Sequence, residues 1–356
     1  MDQTQIFKVD PENPDQRLIA AAAQLIQAGE VVAFPTETVY GLGANGLDPT
    51  AVAKIFAAKG RPADNPLILH ISSVRDLEQV VVKIPPLAQA LIQRFWPGPL
   101  TLVLPKKTGV PDAVTAGLPT VAVRMPAHPV AQALITATGL PIAAPSANIS
   151  GRPSPTLAGH VWADLNGRIA AILDGGPTGI GLESTVVDLS GDSPCLLRPG
   201  GVSREELEAV IGPVGFAVEP GATQTPKAPG MKYRHYAPQA PVWVVSAPTL
   251  DGLAGKLQRL AQAAIAQGEV PYLLVSQETA VLLQQHFTEE TIAVWGSRNN
   301  PAEIAHNLFA LLRNADEKQA TVIYAEGIEP SGLGAAVMNR LLKAAGGRVL
   351  DSKSQE

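Results

Sequence analysis

The chain has 356 residues, of which 46% are hydrophobic and 17% charged, a composition that excludes intrinsic disorder and makes two domains the natural expectation. The formal net charge of −5 excludes a general polyanion-binding surface, so any basic site must be a local pocket. Cys195 is the single cysteine, which excludes a disulfide framework and a cysteine-based metal site. With a polar start and no apolar run long enough to cross a membrane, we expect a soluble, cytosolic protein.

The first 212 residues contain more predicted strands than helices, which favours a mixed, twisted sheet over a regular alternation of parallel strands and helices. Apolar periodicity, helix caps and prolines predict helices at 14–28, 48–59, 73–82, 86–95 and 129–138, and a last one capped by Ser203. Short apolar runs predict strands at 31–34, 67–71, 100–104, 120–125, 141–144, 170–173, 184–189 and 195–198.

The turn Lys59-Gly60-Arg61 places two cations on either side of one glycine, between a helix and a strand that ends near His70. Lysine is a compact charge and arginine a planar fork, so the pair can bind neighbouring anionic oxygens in two different ways. The alternative is a solvated loop.

The loop Pro35-Thr36-Glu37-Thr38-Val39-Tyr40-Gly41 is rich in hydroxyl groups and follows a buried strand, where open α/β sheets bind ligands. Gly41-Leu42-Gly43-Ala44-Asn45-Gly46 then fits the glycine pattern of dinucleotide-binding loops. The next helix is expected to begin only at Asp48, whose negative charge would repel a pyrophosphate. This context disfavours a nicotinamide-cofactor site.

Two further polar groups follow predicted strands. Ser146 and Asn148 can present both side chains on one side of an extended segment, or can simply form a turn. Arg124 lies at the end of an apolar strand, where it is either a site residue or a surface cation.

Prolines without apolar periodicity mark residues 213–240 as a linker, although its segment 229–238 is too aromatic and basic for a mere spacer. The pattern of apolar residues changes at residue 241. Strands at 242–245, 272–275, 292–294 and 321–324 alternate with helices at 250–267, 280–287, 303–314 and 333–345, which predicts a small, doubly wound parallel sheet.

Lys59-x-Arg61 together with Ser146-x-Asn148 resembles the K-x-R…S-x-N signature of the YrdC-type threonylcarbamoyl-AMP synthase family. The stretches 35–42, 64–67, 123–126 and 183–186 resemble the family's other motifs in the same order, and 198–200 and 229–238 resemble its long, two-domain form. The resemblance implies a YrdC-like, mixed twisted-sheet domain with a concave active site at 1–212. It also implies an ordered linker over that site at 213–240 and a small, Rossmann-like, doubly wound domain at 241–356.

The resemblance implies an ATP-dependent nucleotidyltransferase that makes L-threonylcarbamoyladenylate from L-threonine, bicarbonate or CO2, and ATP, and releases pyrophosphate. This is the first step of threonylcarbamoyladenosine formation next to the tRNA anticodon, so a downstream threonylcarbamoyl transferase is an expected partner. Adenylation depends mainly on positioning and charge stabilisation. Mg²⁺ is expected to enter on the ATP phosphates without protein ligands.

The resemblance also assigns roles to residues. Lys59 and Arg61 are the expected catalytic residues and phosphate contacts. The expected L-threonine contacts are Thr38, His70, Arg124, Ala144 and Ser184, with Arg124 on the carboxylate. The other expected ATP contacts are Asn65, Thr120, Ser146, Asn148, Ser154, Arg198 and the linker residue Tyr236, with Tyr233, Arg234 and His235 as rivals for the linker contact.

Two alternatives stay open at this point. A related carbamoyl-adenylate-forming enzyme of hydrogenase maturation shares the fold, but it normally carries cysteine-rich zinc fingers. A YrdC-like RNA-binding module without turnover is disfavoured by the acidic total charge. The sequence leaves the oligomeric state and any weak direct contact with tRNA undecided.

Overall fold

The computed structural model describes residues 3–217, 226–229 and 235–351. The chain divides into two compact units. We call Met1–Ser150 with Ser154–Tyr233 the N-terminal unit, and Gly151–Pro153 with Arg234–Glu356 the C-terminal unit. Among the described residues, no helix is both long and apolar enough to span a membrane.

In the N-terminal unit, the helices are α1 (Gln16–Gln27), α2 (Pro49–Lys59), α3 (Leu77–Val80), α4 (Pro86–Phe95), α5 (Asp112–Thr115), α6 (Pro129–Thr138), α7 (Ala158–Leu165) and α8 (Arg204–Ile211), with a 3-10 turn at Val74–Asp76. Its strands are β1 (Gln5–Lys8), β2 (Val32–Phe34), β3 (Gly41–Asn45), β4 (Ile68–His70), β5 (Leu100–Pro105), β6 (Thr120–Arg124), β7 (Ile142–Ala143), β8 (Ala171–Asp174), β9 (Thr185–Asp188), β10 (Cys195–Arg198) and β11 (Gly215–Phe216).

The described strands of this unit form one sheet in the order β1-β8-β2-β3-β7-β4-β6-β5-β9-β10-β11. The sheet contains both parallel pairs, such as β4 with β6, and antiparallel pairs, such as β5 with β6. The predicted mixed sheet is therefore confirmed. Helices cover it on both faces: α1 and α6 pack on a core around Phe34 and Leu173, and a larger core around Leu42, Leu69 and Val123 lies under α2 and α4.

The glycine pattern at 41–46 covers strand β3, which pairs antiparallel with β2, and the first residue of the turn after it, and does not form a phosphate-binding loop. Its glycines permit close packing of strands. A Cβ at Gly43 would lie 2.8 Å from a methyl carbon of Ile142, and one at Gly46 would lie 2.8 Å from the carbonyl oxygen of Pro141. Strand β3 was missed in the sequence because three glycines in six residues obscure an apolar alternation.

The C-terminal unit contains β12 (Val242–Val245), α9 (Leu250–Ala266), β13 (Pro271–Ser276), α10 (Gln277–Leu283), β14 (Ile292–Gly296), α11 (Pro301–Glu317), β15 (Val322–Glu326), α12 (Leu333–Ala345) and β16 (Val349–Leu350). The strands are all parallel, in the order β14-β13-β15-β12-β16. Helices α9 and α10 pack against each other, as do α11 and α12, which confirms the doubly wound, parallel-sheet architecture.

Candidate active site

The Lys59 side chain joins the two halves of the K-x-R…S-x-N signature. Helix α2 ends at Lys59 because Gly60 adopts a left-handed conformation (φ 62°), for which glycine is the favoured residue. Only 2% of Lys59 is exposed, and its Nζ donates to the backbone oxygens of Ser146 and Asn148, each at 2.5 Å. The Ser146 hydroxyl donates to Asn148 Oδ1 at 2.6 Å, so these side chains form one polar cluster.

Arg61 follows the same turn and lies beside Asn65. Its Nη2 donates to the backbone oxygens of Asn65 at 3.3 Å and Pro66 at 3.1 Å. The Asn65 side chain is buried, and its Oδ1 accepts no hydrogen bond from any described residue. A buried amide oxygen without a partner is uncommon in proteins, so this atom is a candidate ligand contact.

A row of polar side chains crosses adjacent strands of the sheet. His70 on β4 pairs in register with Arg124 on β6, which pairs in register with Thr101 on β5. The three side chains are buried, and alternation along each strand places them on the same face as Ile68, Ala122 and Val103. Sheet register therefore brings together residues that lie up to 54 positions apart in the sequence.

His70 is held in its neutral form. Burial, and secondarily the positive charge of Arg124, lower the pKa of His70 to about 3. Its Nδ1 lies 3.2 Å from the backbone oxygen of Ile68, and its ring meets that of Phe34 edge-on. At neutral pH the imidazole can therefore act only as a neutral hydrogen-bonding group.

Arg124 binds the loop that follows β2. Its Nη1 donates to Thr38 Oγ1 at 2.8 Å, its Nε donates to the backbone oxygen of Gly98 at 3.2 Å, and its Nη2 lies 2.6 Å from Glu37 Oε1. Thr36 stiffens this loop, because its hydroxyl donates to the backbone oxygen of Val39 at 2.7 Å and accepts from the Thr38 amide at 3.2 Å.

Ser184, a predicted threonine contact, is hydrogen-bonded to Arg198, a predicted nucleotide contact. Its hydroxyl lies 2.8 Å from that of Thr101, and Arg198 Nη2 donates to its Oγ at 3.1 Å and to its backbone oxygen at 2.9 Å. Gly200 permits this arrangement, since a Cβ there would lie 2.4 Å from the backbone oxygen of Glu183. Ser154 is also buried and donates to Glu183 Oε1 at 2.5 Å.

The linker residues 226–229 lie on the same face of the sheet. Ala228 is fully buried against Ile68, Val103 and Ala122. The Pro229 carbonyl accepts a hydrogen bond from Arg198 Nη1 at 3.3 Å, and Lys227 forms an ion pair with Asp188. Part of the linker therefore packs directly beside the polar row.

Two predicted threonine contacts and two predicted nucleotide contacts lie at opposite ends of the β4–β6 pair. His70 and Arg124 lie at the carboxyl ends, whereas Thr120 begins β6 and Asn65 precedes β4. Ala144, a predicted threonine contact that follows β7, lies instead beside the start of β4, where its amide donates to the backbone oxygen of Ile68 at 2.9 Å. The other four positions are compatible with an amino acid near the carboxyl ends of the two strands and a nucleotide near their starts.

Tyr236 belongs to the C-terminal unit. Its ring stacks on that of Phe309, with centroids 5.1 Å apart, and the Arg340 guanidinium lies 5.6 Å from its centroid. The neighbouring ring of His235 lies 5.6 Å away. Tyr233 and Arg234 lie outside the described residues. The nucleotide contact assigned to the linker therefore stays a prediction.

Sequence reasoning missed several polar residues of this site. Glu37 and Glu183 lie inside stretches that carried the resemblance, yet neither was given a role. Thr101 carries a hydroxyl within an otherwise apolar strand, a signal that could have identified it.

Comparisons with known proteins agree with this geometry. A family model described as "Telomere recombination" (Sua5, YciO and YrdC) matches residues 24–200, and one described as "Threonylcarbamoyl-AMP synthase, C-terminal domain" matches residues 202–346. The threonylcarbamoyl-AMP synthase of Bacillus subtilis is 51% identical over 93% of this chain and 94% of its own length. The chain belongs to the threonylcarbamoyl-AMP synthase family. The synthase of Pyrococcus abyssi is 52% identical over 95% of this chain and 97% of its own length.

The family's fold extends over both units. A crystal structure of P. abyssi Sua5 complexed with L-threonine matches with a TM-score of 0.91 at 50% identity, covering 98% of this chain and 99% of that one. The predicted family and the predicted fold class are thus both confirmed.

Proposed function

We propose that this chain catalyses the ATP-dependent synthesis of L-threonylcarbamoyladenylate from L-threonine, bicarbonate or CO2, and ATP, with release of pyrophosphate. Full-length relatives at about 50% identity carry the name of this activity, and one relative's structure contains L-threonine. The observation that carries the proposal is the direct contact of Lys59 with the Ser146–Asn148 segment, close in the chain to Arg61 and Asn65.

The α-ammonium group of threonine first loses a proton, and the free amine attacks CO2 and releases a second proton, both protons passing to solvent. The resulting carbamate oxygen then attacks the α-phosphorus of ATP, and the bond to pyrophosphate breaks. Lys59 and Arg61 bind the phosphates and stabilise the charge that develops on the leaving group. The rest of the nucleotide is held by Asn65, Thr120, Ser146, Asn148, Ser154 and Arg198. Because the Lys59 ammonium is anchored on backbone oxygens, little reorganisation is needed when charge develops.

Threonine lies at the other end of the site. Arg124 binds its carboxylate, and the hydroxyls of Thr38 and Ser184 and the neutral ring of His70 are available to the remaining polar groups. Ala144 contributes backbone contacts. The hydrogen bonds from Arg198 to Ser184 connect the threonine end physically to the nucleotide end.

Mg²⁺ is proposed to enter with ATP and to be coordinated by phosphate oxygens and water. The ion would neutralise charge on the phosphates during transfer.

The product is a reactive mixed anhydride, so its consumer is proposed to be a threonylcarbamoyl transferase that modifies adenosine next to the tRNA anticodon. Direct contact between this chain and tRNA is not needed for the chemistry. The soluble enzyme is proposed to act in the cytoplasm.

Product analysis tests the proposal. We expect ATP, Mg²⁺, L-threonine and carbon-13 bicarbonate to yield an adenylate whose mass includes both threonine and one heavy carbon. An adenylate that contains threonine but no carbon-13 would identify a simple aminoacyl-adenylate former and contradict the proposal.

A further inference from the structure

We propose that Glu37 binds the α-ammonium group of the amino-acid substrate, directly beside the Arg124 guanidinium that binds the carboxylate. The inference rests on the proposed function. It assigns a substrate contact to a side chain that the motif comparison left without a role.

The first observation is an ion pair that lacks hydrogen bonds. Arg124 Nη2 and Glu37 Oε1 are 2.6 Å apart, and 4% and 15% of the two side chains are exposed. Nevertheless, Nη2 and both Glu37 carboxylate oxygens make no hydrogen bond with any described residue. Buried charged groups normally satisfy their hydrogen-bonding capacity, so such a pair calls for a ligand or a catalytic role.

The second observation is that the surroundings hold both side chains in place. Arg124 uses Nε on Gly98 and Nη1 on Thr38, which leaves Nη2 as the donor that faces Glu37. The Glu37 backbone oxygen accepts from the Ile180 amide at 2.7 Å, and the Thr38 oxygen accepts from the Gly181 amide at 3.1 Å. The pair therefore presents one cationic donor and one anionic acceptor in a fixed arrangement.

An α-amino acid complements this arrangement. It carries a carboxylate and an ammonium on the same carbon, so one ligand can accept from Nη2 and donate to the Glu37 oxygens. The zwitterion adds no net charge, and each buried charge gains an opposite neighbour. An α-hydroxy acid with the same carboxylate offers only a weaker, neutral donor to Glu37. The pair thus selects amino acids over hydroxy acids.

A thermodynamic cycle between protein and ligand separates this role from a merely structural one. Calorimetry measures the Kd of L-threonine and of (2S,3R)-2,3-dihydroxybutanoate, the analogue with hydroxyl in place of the amine, for wild type and Glu37→Gln. We expect Glu37→Gln to raise the Kd of L-threonine by about 10- to 100-fold, the range for a charge-assisted hydrogen bond. The Kd of the analogue should rise by less than about threefold. The matched control Glu30→Gln, at an exposed ion pair with Lys54, should change neither Kd.

An equal rise in Kd for both ligands would overturn the inference, since Glu37 would then only hold Arg124 in place. Unchanged L-threonine binding in a folded Glu37→Gln variant would overturn it as well. If that variant does not fold, the wild type still decides: an analogue Kd within about threefold of that of L-threonine contradicts an ammonium contact at Glu37. If the wild type binds L-threonine and makes the adenylate but the Kd values do not distinguish the two ligands as expected, the role of Glu37 is refuted and the proposed function stays intact.

Discussion

Lys59 has only 2% of its surface exposed, and a lysine buried to this extent needs strong acceptors around its ammonium. The structure supplies the backbone oxygens of Ser146 and Asn148. At the other end of the site, burial keeps His70 neutral beside the cationic Arg124. Lys59 is thus held in position, and His70 in its neutral form, before substrate arrives, as expected for a site that acts through positioning and electrostatics.

Replacing Lys59 tests the phosphate role at the residue scale. We expect Lys59→Met to lower kcat by a factor that corresponds to about 2–4 kcal/mol, because a transition-state donor is lost. The control Lys54→Met removes a half-exposed cation from the same helix and should leave kcat unchanged. A Lys59→Met variant that folds and keeps the wild-type kcat would refute the role.

The buried His70 affects how the free energy of unfolding depends on pH. The folded-state pKa of His70 is about 3, below its ordinary value of 6.5, so between these values the unfolded chain binds more protons there. The stability that His70 confers is complete above pH 6.5 and is lost as pH falls towards 3. We expect the free energy of unfolding to fall less steeply with acidification in His70→Gln than in wild type, by up to about 1.4 kcal/mol per pH unit. Identical slopes in urea titrations at pH 4–6.5 would contradict this assignment.

At the element scale, the segments predicted most accurately have strong local signals. Helices α4 and α6 begin at Pro86 and Pro129, where proline favours a first turn, and both match their predicted bounds. Strand β3 escaped prediction because its glycines serve packing between strands. The signature residues could be identified from motifs, but the Arg124–Glu37 and Ser184–Thr101 contacts depend on sheet register, which a single sequence does not specify.

Gly200 allows a test of how one element positions the site. A Cβ there would lie 2.3 Å from the Thr185 amide nitrogen, so Gly200→Ala must displace the start of β9. We expect a loss of about 1–3 kcal/mol in the free energy of unfolding, and a higher KM for L-threonine because Ser184 moves.

The control for this change is Gly109→Ala, where a Cβ meets no atom within 4 Å. Its unfolding midpoint and KM should match those of the wild type. If Gly200→Ala behaved in the same way as this control, the close approach of residues 198–200 to β9 would have no functional consequence.

At the scale of the whole molecule, the N-terminal unit holds all the described candidate contacts except Tyr236 and its rival His235. The C-terminal unit is a complete α/β domain with its own core around Leu257 and Leu273. The linker predicted at 213–240 contains the point at which the chain passes from the N-terminal unit to the C-terminal unit. Residues 226–229 of that linker already pack beside Arg198.

The linker prediction is tested at Tyr236. If its ring closes over the nucleotide, Tyr236→Ala should raise the KM for ATP by about 5- to 100-fold, the range for a lost stacking contact, and leave the KM for L-threonine unchanged. Tyr236→Phe retains the ring that stacks on Phe309 and should stay close to wild type. An unchanged KM for ATP in Tyr236→Ala would move the role to Tyr233, Arg234 or His235.

Pyrophosphate release tests the central claim most directly. The protein is incubated with ATP and Mg²⁺, and L-threonine and bicarbonate are each omitted in turn, with CO2-depleted buffer for the second omission. We expect pyrophosphate only when both are present, because the carbamate of threonine is the nucleophile. Release without threonine would show that another acceptor attacks ATP, and no release from folded protein would contradict synthase activity altogether.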